Sequence, residues 1–212
     1  MLLCSGTLAG GGYTLFSSPR PEIKEMKYFV FALPIVSVLG LSAARMAELG
    51  ARRDIIHGVI REHLTLRLFL STGLVILLAA IVEYIVRDQP ISWPLFAAGW
   101  ISGLVSFYIR RRAIASLGRF WSLHVEIREN HVFVRSGPFR FLRHPVYFSM
   151  ILELLAFVLI CQAWSTGLFA PVLFIPALIL RVRIEEAALL DKFGNDYRRY
   201  QQSTPAIIPG LW

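Results

Sequence analysis

Five runs of apolar residues, each close to the length of a membrane-crossing helix, constrain this chain more than any other feature of its sequence. A helix rises about 1.5 Å per residue, so roughly 20 apolar residues cross the ~30 Å hydrocarbon core of a bilayer. The runs lie at about residues 28–46, 68–86, 93–109, 146–164 and 167–180. The first two are the clearest, and the fifth is the shortest. Only residues 162–167 separate the fourth from the fifth, which predicts a tight antiparallel hairpin. The fold class these runs imply is an all-α integral membrane protein with about five transmembrane helices.

Composition agrees with lipid as the main solvent. At 212 residues the chain fits one compact domain, and with 56% hydrophobic residues and a mean hydropathy of +0.58 it is too apolar for a water-soluble one. A net charge of +8 raises the possibility of nucleic acid. The cations are nearly all Arg, however, and they cluster between the apolar runs, a distribution that reads as membrane topology and excludes a nucleic-acid partner. One cluster holds Arg52, Arg53 and Arg61. A second holds Arg110, Arg111, Arg112, Arg119, Arg128, Arg135, Arg140 and Arg143, and the third Arg181, Arg183, Lys192, Arg198 and Arg199. The opposite turns, at Asp88-Gln89-Pro90 and around Trp164, offer Arg87 alone. Positive charge marks the cytoplasmic side, so the C-terminus and the three Arg-rich segments are expected there, with the N-terminus opposite.

Residues 1–25 contain a Gly-Gly-Gly run and no basic region before their few apolar residues, which makes a poor signal peptide and reads as a flexible extension. The expected division is therefore 1–25 as extension, 26–115 as helices one to three, and 116–212 as a core containing the hairpin. Cys4 and Cys161 lie far apart and give neither a disulfide framework nor zinc-ligand spacing, and the histidines show no metal-ligand pattern, so no metal site is expected. Gly99 and Gly103 form a small-xxx-small pair suited to a close helix contact.

Two segments flanking the hairpin are too patterned to be plain connectors. The first, 117–147, reads LGRFWSLHVEIRENHVFVRSGPFRFLRHPVY: an alternating stretch, a Ser136-Gly137-Pro138 turn, then Arg143-His144-Pro145 at the mouth of the fourth run. Pro145 suits a first helical position, because its fixed φ fits and its missing N–H has no partner there; the helix start it opens is a place for an anion. The bland reading is an interfacial anchor, with Arg reaching headgroups and His making a structural hydrogen bond. The second segment, 181–200, reads RVRIEEAALLDKFGNDYRRY and continues the fifth run as a helix. Arg181 and Glu185 share a face at i, i+4 spacing, where the helix leaves the hydrocarbon. An ionisable residue at that depth is a functional candidate; the bland alternative is an ion pair with Arg183 and Glu186 facing water. Phe193-Gly194 marks a helix stop.

Together these segments resemble the isoprenylcysteine carboxyl methyltransferase family and its relatives, the phospholipid methyltransferases. The family pattern of Ser-Gly-x-Tyr, Arg-His-Pro-x-Tyr, an apolar hairpin, Arg-x-x-x-Glu-Glu and Phe-Gly-x-x-Tyr-x-x-Tyr appears in that order over residues 117–205. The resemblance implies an S-adenosylmethionine-dependent methyltransferase that releases S-adenosylhomocysteine. It implies that His144, Pro145, Val146 and Tyr147 line the cofactor pocket, that Glu185 closes it from the other helix, and that Arg181 faces the substrate. It adds His131, Val132, Phe133 and Val134 as contacts made largely through backbone, with His124 and Phe139 as further members. Two positions depart from the pattern: Phe139 stands where Tyr is usual, and Ser149 replaces a common Gly.

If the acceptor is a carboxylate, it is already ionised at neutral pH; no general base is needed, and Arg181 orients it through paired hydrogen bonds. An amine acceptor needs Glu185, Glu186 or a His to take a proton, and a thiol remains open. A site at the end of membrane helices admits a lipophilic or prenylated acceptor from the bilayer, with membrane lipids as neighbours. Two other classes compete: an NADPH-dependent sterol-type reductase, whose family carries a similar Arg-His-Pro-x-Tyr segment, and a non-catalytic membrane scaffold.

Overall fold

The computed structural model describes residues 21–50, 59–60, 64–118, 121, 126–127 and 134–208. All five apolar runs are helical. Helix α1 spans Pro21–Gly50, α2 Leu64–Arg87, α3 Trp93–Leu117, α4 Pro145–Cys161 and α5 Trp164–Phe193, and a short α6 follows at Asn195–Ser203. The segments Glu25–Glu48, Thr65–Arg87 and Trp164–Phe193 are long and apolar enough to cross a membrane, and α4 is apolar over 17 residues. In α3 the apolar part ends at the Arg110-Arg111-Arg112 cluster, as expected, while the helix itself runs on to Leu117. The helices outrun the apolar runs that announce them. Thus α1 begins at Pro21, inside the segment expected to be an extension, and α5 carries on through the charged residues to Phe193.

The described strand structure is a two-residue antiparallel pair, β1 at Val59–Ile60 with β2 at Glu126–Ile127. It precedes the 131–134 stretch that the alternation singles out, of which Val134 alone lies within the described residues.

The hairpin turn is tighter than the sequence spacing indicates. Only Gln162 and Ala163 separate α4 from α5, and Gln162 adopts the left-handed conformation (φ 52°, ψ 34°) that lets the chain reverse. The start of α5 is then capped from another helix. Glu83 of α2 accepts hydrogen bonds from the backbone N–H of Ser165 (2.9 Å) and Thr166 (2.7 Å) and from the Thr166 hydroxyl (2.8 Å). A carboxylate at a helix N-terminus satisfies orphan donors and meets the positive dipole end.

The closest helix pair is α3 with α4. A Cβ on Gly99 would lie 2.6 Å from Ile160 Cγ1, 3.0 Å from the Ile160 nitrogen and 3.1 Å from the Ala156 oxygen, so the α4 backbone occupies the space a side chain would need. Ser102 and Ser106 donate to the carbonyls of Leu152 (2.8 Å) and Ser149 (2.6 Å), sewing the seam along its length. Helix α2 packs on α5 and α4, with Phe69, Ile76, Met150, Phe174 and Leu178 in one buried cluster. Leu168, Phe169, Val172 and Leu173 of α5 point outward and exposed, the arrangement of a helix whose outer face meets lipid.

This packing predicts unequal responses to one substitution. Gly99→Ala forces α4 away from α3 and is expected to cost about 1–3 kcal/mol, the usual penalty for overpacking. Gly40→Ala, where the new Cβ meets nothing within 4 Å, is expected to be neutral or to gain up to about 1 kcal/mol of helix propensity. Thermal unfolding of both variants in the same detergent tests the contrast, and equal melting temperatures would refute the seam.

Candidate active site

The 3-10 helix at Gly137–Arg140 turns the chain towards the mouth of α4, and Pro145 takes the first helical position there. The approach is held from the far end of the sequence. The backbone N–H of Arg143 donates to the Pro205 carbonyl (2.9 Å) and that of His144 to the Ala206 carbonyl (2.8 Å). On the other side α5 ends at Gly194, whose φ of 52° permits the break, and α6 folds back against the same region. Two segments remote in sequence thus meet across the hairpin.

Their meeting point is Glu186. Its Oε1 accepts from Arg143 Nε at 2.7 Å and stands 3.1 Å from His144 Nε2, and its Oε2 accepts from Gln201 Nε2 at 3.0 Å. The Tyr197 hydroxyl approaches the same carboxylate at 3.5 Å. Arg143 also donates to the Gln201 carbonyl (2.9 Å) and the Thr204 carbonyl (2.5 Å), so one guanidinium joins α5 to the C-terminal segment. Burial pushes the Tyr197 phenol well above its ordinary pKa and that of Tyr200 up to about 12, so both remain hydroxyl donors at physiological pH. Tyr200 donates to the Phe139 carbonyl, which fixes that residue through its backbone.

Glu185 behaves differently. Its side chain keeps 34% of its exposure against 11% for Glu186, and its Oε2 accepts from the Tyr147 hydroxyl at 2.8 Å. That hydroxyl in turn accepts from Arg181 Nε at 2.9 Å, and Arg181 reaches Thr65 of α2 at 3.4 Å. His144 stacks on Tyr147 with ring centroids 5.5 Å apart and presents Nδ1 towards Glu185 at 3.6 Å. The two neighbouring carboxylates therefore stand at the two nitrogens of one imidazole.

Phe139, His144, Pro145, Val146, Tyr147, Arg181 and Glu185 all line one cavity, so seven residues singled out in the sequence converge. At about 100 Å³ it is smaller than the roughly 300 Å³ at which drug-sized ligand pockets begin. It accommodates the reacting end of a ligand rather than the whole of one. Val134 is half-buried and is not among the lining residues. His124, His131, Val132 and Phe133 lie outside the described residues.

The lining also includes groups the sequence reading passed over. Trp121, Ile114 and Leu117 form one wall, and Arg45 and Arg110 bring cations from α1 and α3. Arg110 donates to Glu48 (2.6 Å) and to Glu153 (3.0 Å), and Arg45 pairs with the same Glu153 oxygen. Glu186, which the bland reading places in water, is instead the buried hub. Glu153 was visible as a carboxylate inside an apolar run, the signal that marks intramembrane function or pairing. Arg45 carries no such mark, since it sits near the end of its run.

Comparison with known proteins finds likenesses over the segment that carries these features. The profile of the isoprenylcysteine carboxyl methyltransferase family matches residues 100–191, from mid-α3 almost to the end of α5. The protein-S-isoprenylcysteine O-methyltransferase B of Arabidopsis thaliana is 28% identical over 73% of this chain and 82% of its own length. The protein-S-isoprenylcysteine O-methyltransferase of Schizosaccharomyces pombe is 32% identical over 48% of this chain and 44% of its own length. An uncharacterized protein of Bacillus subtilis, YpbQ, is 32% identical over 53% of this chain and 66% of its own length. The chain thus spans from under half to about four fifths of these relatives.

The unequal burial of the two carboxylates predicts unequal consequences of losing them. Glu186→Ala strands Arg143 and His144 in a buried site and is expected to cost about 3–5 kcal/mol of stability, the range for breaking a buried ion pair. Glu185→Ala leaves a half-exposed position and is expected to unfold within a few degrees of the parent. Thermal melts of the two purified variants decide this, and a larger loss for Glu185→Ala would overturn the assignment of Glu186 as the hub.

Proposed function

From the match of residues 100–191 to the isoprenylcysteine carboxyl methyltransferase family, we propose that this chain is a member of it: a membrane-embedded, S-adenosylmethionine-dependent methyltransferase acting on the carboxylate of a lipophilic, isoprenylcysteine-like acceptor. The observation that carries the reading is the chain of contacts from Arg181 through Tyr147 to Glu185, which joins both halves of the family pattern in one cavity.

The residues present fit the donor. It is a cation at sulfur with an amino-acid end, and the cavity offers one half-exposed carboxylate, Glu185, among the aromatic faces of Tyr147, Trp121 and Phe139. Bound there, S-adenosylmethionine would supply a methyl carbon, a C–O bond to the acceptor forming as the C–S bond breaks and the sulfur keeping the electron pair in S-adenosylhomocysteine. No proton has to move. Glu185 would hold the ammonium of the amino-acid end, which S-adenosylhomocysteine keeps, with its own orientation set by the Tyr147 hydroxyl. Arg181 meets the acceptor carboxylate, its guanidinium pinned by Tyr147 and Thr65 so that little freedom is lost on binding. His144 serves as a positioning residue, fixed between Glu185 and Glu186. His124, His131, Val132, Phe133 and Val134 are proposed as backbone contacts to the donor. Ile114, Leu117, Trp121 and Phe139 exclude water from the reacting carbon.

The Arg distribution supports a cytoplasmic site and C-terminus, with the N-terminus on the opposite side. Residues 116–212 are proposed as the methyltransferase core, although α1, α2 and α3 complete its cavity through Arg45, Phe69 and Arg110.

Methyl-labelled donor incubated with native membranes is expected to give a product whose label turns volatile in mild base, because methyl esters hydrolyse there. Label that survives base means transfer to nitrogen or sulfur and overturns the carboxylate acceptor. In calorimetry with the purified protein, S-adenosylhomocysteine is expected to bind, and Glu185→Ala to weaken it about 10- to 100-fold, the equivalent of one charge-assisted contact. Binding of NADPH in its place would overturn the methyltransferase reading.

A further inference from the structure

The lining of the polar cavity is rich in cations. Arg45, Arg110, Arg143 and Arg181 all contribute to it, and Glu185 is the carboxylate among the lining residues. Two of the four arginines are committed elsewhere. Arg143 bonds Glu186 and the carbonyls of Gln201 and Thr204, and Arg110 is held between Glu48 (2.6 Å) and Glu153 (3.0 Å). Arg181 belongs to the family pattern and is already placed at the acceptor. The fourth, Arg45, comes from α1, outside both the 117–205 pattern and the 100–191 stretch that the family profile matches.

Arg45 pairs through Nη1 with Glu153, on the same oxygen that Arg110 reaches. Glu153 is buried in α4 and needs a cation, which Arg110 supplies whether or not Arg45 is there. Arg45 therefore holds a second share in an oxygen whose charge is already met. Its side chain is 13% exposed against 4% for Arg110. It also lines two spaces, the polar cavity and an apolar groove of about 330 Å³ between α1 and α2. Its guanidinium offers five donors in a planar fork that matches the two oxygens of a carboxylate.

The charges around the cavity point the same way. Arg45, Arg110, Arg143 and Arg181 stand with Glu48, Glu153, Glu185 and Glu186, so the cations and carboxylates of these contacts balance before any ligand arrives. An anion entering a balanced, largely buried site has to be met by a cation. The cation that can move is the one whose carboxylate stays paired behind it. Moving Arg143 would break its bonds to Glu186 and two carbonyls, and moving Arg110 would break bonds to two carboxylates. Moving Arg45 leaves Glu153 with Arg110.

We propose that Arg45 is a specificity-determining residue: it exchanges Glu153 for the anionic head of the acceptor, joins Arg181 as a second cation on that head, and so selects an anion over a neutral analogue. That the head is a carboxylate awaiting a methyl group rests on the methyl-transfer reading above; the selection of an anion by Arg45 does not. No covalent bond changes in the exchange, and Glu153 remains with Arg110 throughout.

The test measures binding and needs no methyl transfer. The full-length protein, in nanodiscs of zwitterionic lipid with S-adenosylhomocysteine present, is titrated with an N-acetylcysteine thioether of one hydrocarbon chain and with its carboxamide, protein-free discs serving as the blank. The parent is expected to prefer the carboxylate about 100-fold, the worth of two charge-assisted contacts. Arg45→Gln is expected to cut that preference about tenfold while leaving the affinity for the amide unchanged, and Arg45→Lys to keep part of it. Glu153→Gln, which removes the rival carboxylate, is expected to widen the preference. A pair that serves structure alone would move both ligands alike and both variants in one direction. Arg112→Gln, which removes an exposed cation outside the cavity lining, is expected to match the parent. Should Arg45→Gln lose S-adenosylhomocysteine binding, the opposite shifts of Arg45→Lys and Glu153→Gln decide the question. A parent without the preference, or the parent's preference intact in Arg45→Gln, overturns the proposal even where methylation is robust. If anionic lipid added to the discs erases the difference between parent and Arg45→Gln, the anion received is a lipid headgroup and the proposal falls. A preference that depends on Arg45 in a protein that methylates no carboxylate supports the role of Arg45 and counts against the proposed reaction alone.

Discussion

A carboxylate taken out of water has to be shared among donors, and Glu186 is shared more widely than any other described residue around the hairpin. Arg143, His144 and Gln201 bond to it, and Tyr197 stands close by. The rest of the site depends on this arrangement. Arg143 spends its remaining donors on the Gln201 and Thr204 carbonyls, so the C-terminal segment is fastened to the start of α4 through one side chain. His144 is turned by the same carboxylate, and its stacking on Tyr147 passes that orientation to the hydroxyl between Glu185 and Arg181. Fixing one buried charge thus aligns the groups that face the cavity. Preorganisation of this kind is what a reaction limited by geometry requires.

The adjacency of Glu185 and Glu186 divides two tasks that one residue cannot perform together. Successive residues on a helix point about 100° apart, so one carboxylate turns inward against Arg143 while the other looks into the cavity beside Tyr147. A carboxylate already satisfied by several donors has no capacity left for a ligand. One with a single hydroxyl partner and a third of its surface open does.

Much of this was legible in the sequence, and the reasons differ by feature. The spans are local: each is a run of apolar residues, and each became a helix. Pro145, Gly194 and the Gly99 seam were legible because φ preference and missing side chains act at the residue itself. The convergence of Tyr147, Arg181 and Glu185 was legible only through the family pattern, since nothing in spacing alone brings the two sides of a hairpin into register. What escaped notice was of two kinds. One helix start escaped because polar residues at a membrane surface continue a helix as readily as they end one, so α1 begins at Pro21, inside the expected extension. Contacts from the first three helices escaped because hydrophobicity specifies depth and not neighbours. Thr65, Arg45 and Arg110 reach the site from helices that carry no part of the motif.

The second buried network gives those first helices their purpose. Arg45, Glu48, Arg110 and Glu153 carry two positive and two negative charges, so the group is neutral as a whole and its burial near the membrane core is tolerable. The pairing is unequal within it. Arg110 bonds both Glu48 and Glu153, whereas Glu153 receives Arg45 and Arg110 on the same oxygen. If Arg45 turns towards an anion in the polar cavity, Glu153 still keeps Arg110 and is not stranded. Withdrawing Arg110 would instead take the shared cation from both carboxylates at once. Of the two cations, Arg45 is therefore the one whose departure costs less, and it is also the one that lines both the apolar groove and the polar cavity. A static ion pair would be satisfied by either placement. Its position on both linings sets the Arg45–Glu153 pair where an apolar wall gives way to a charged one.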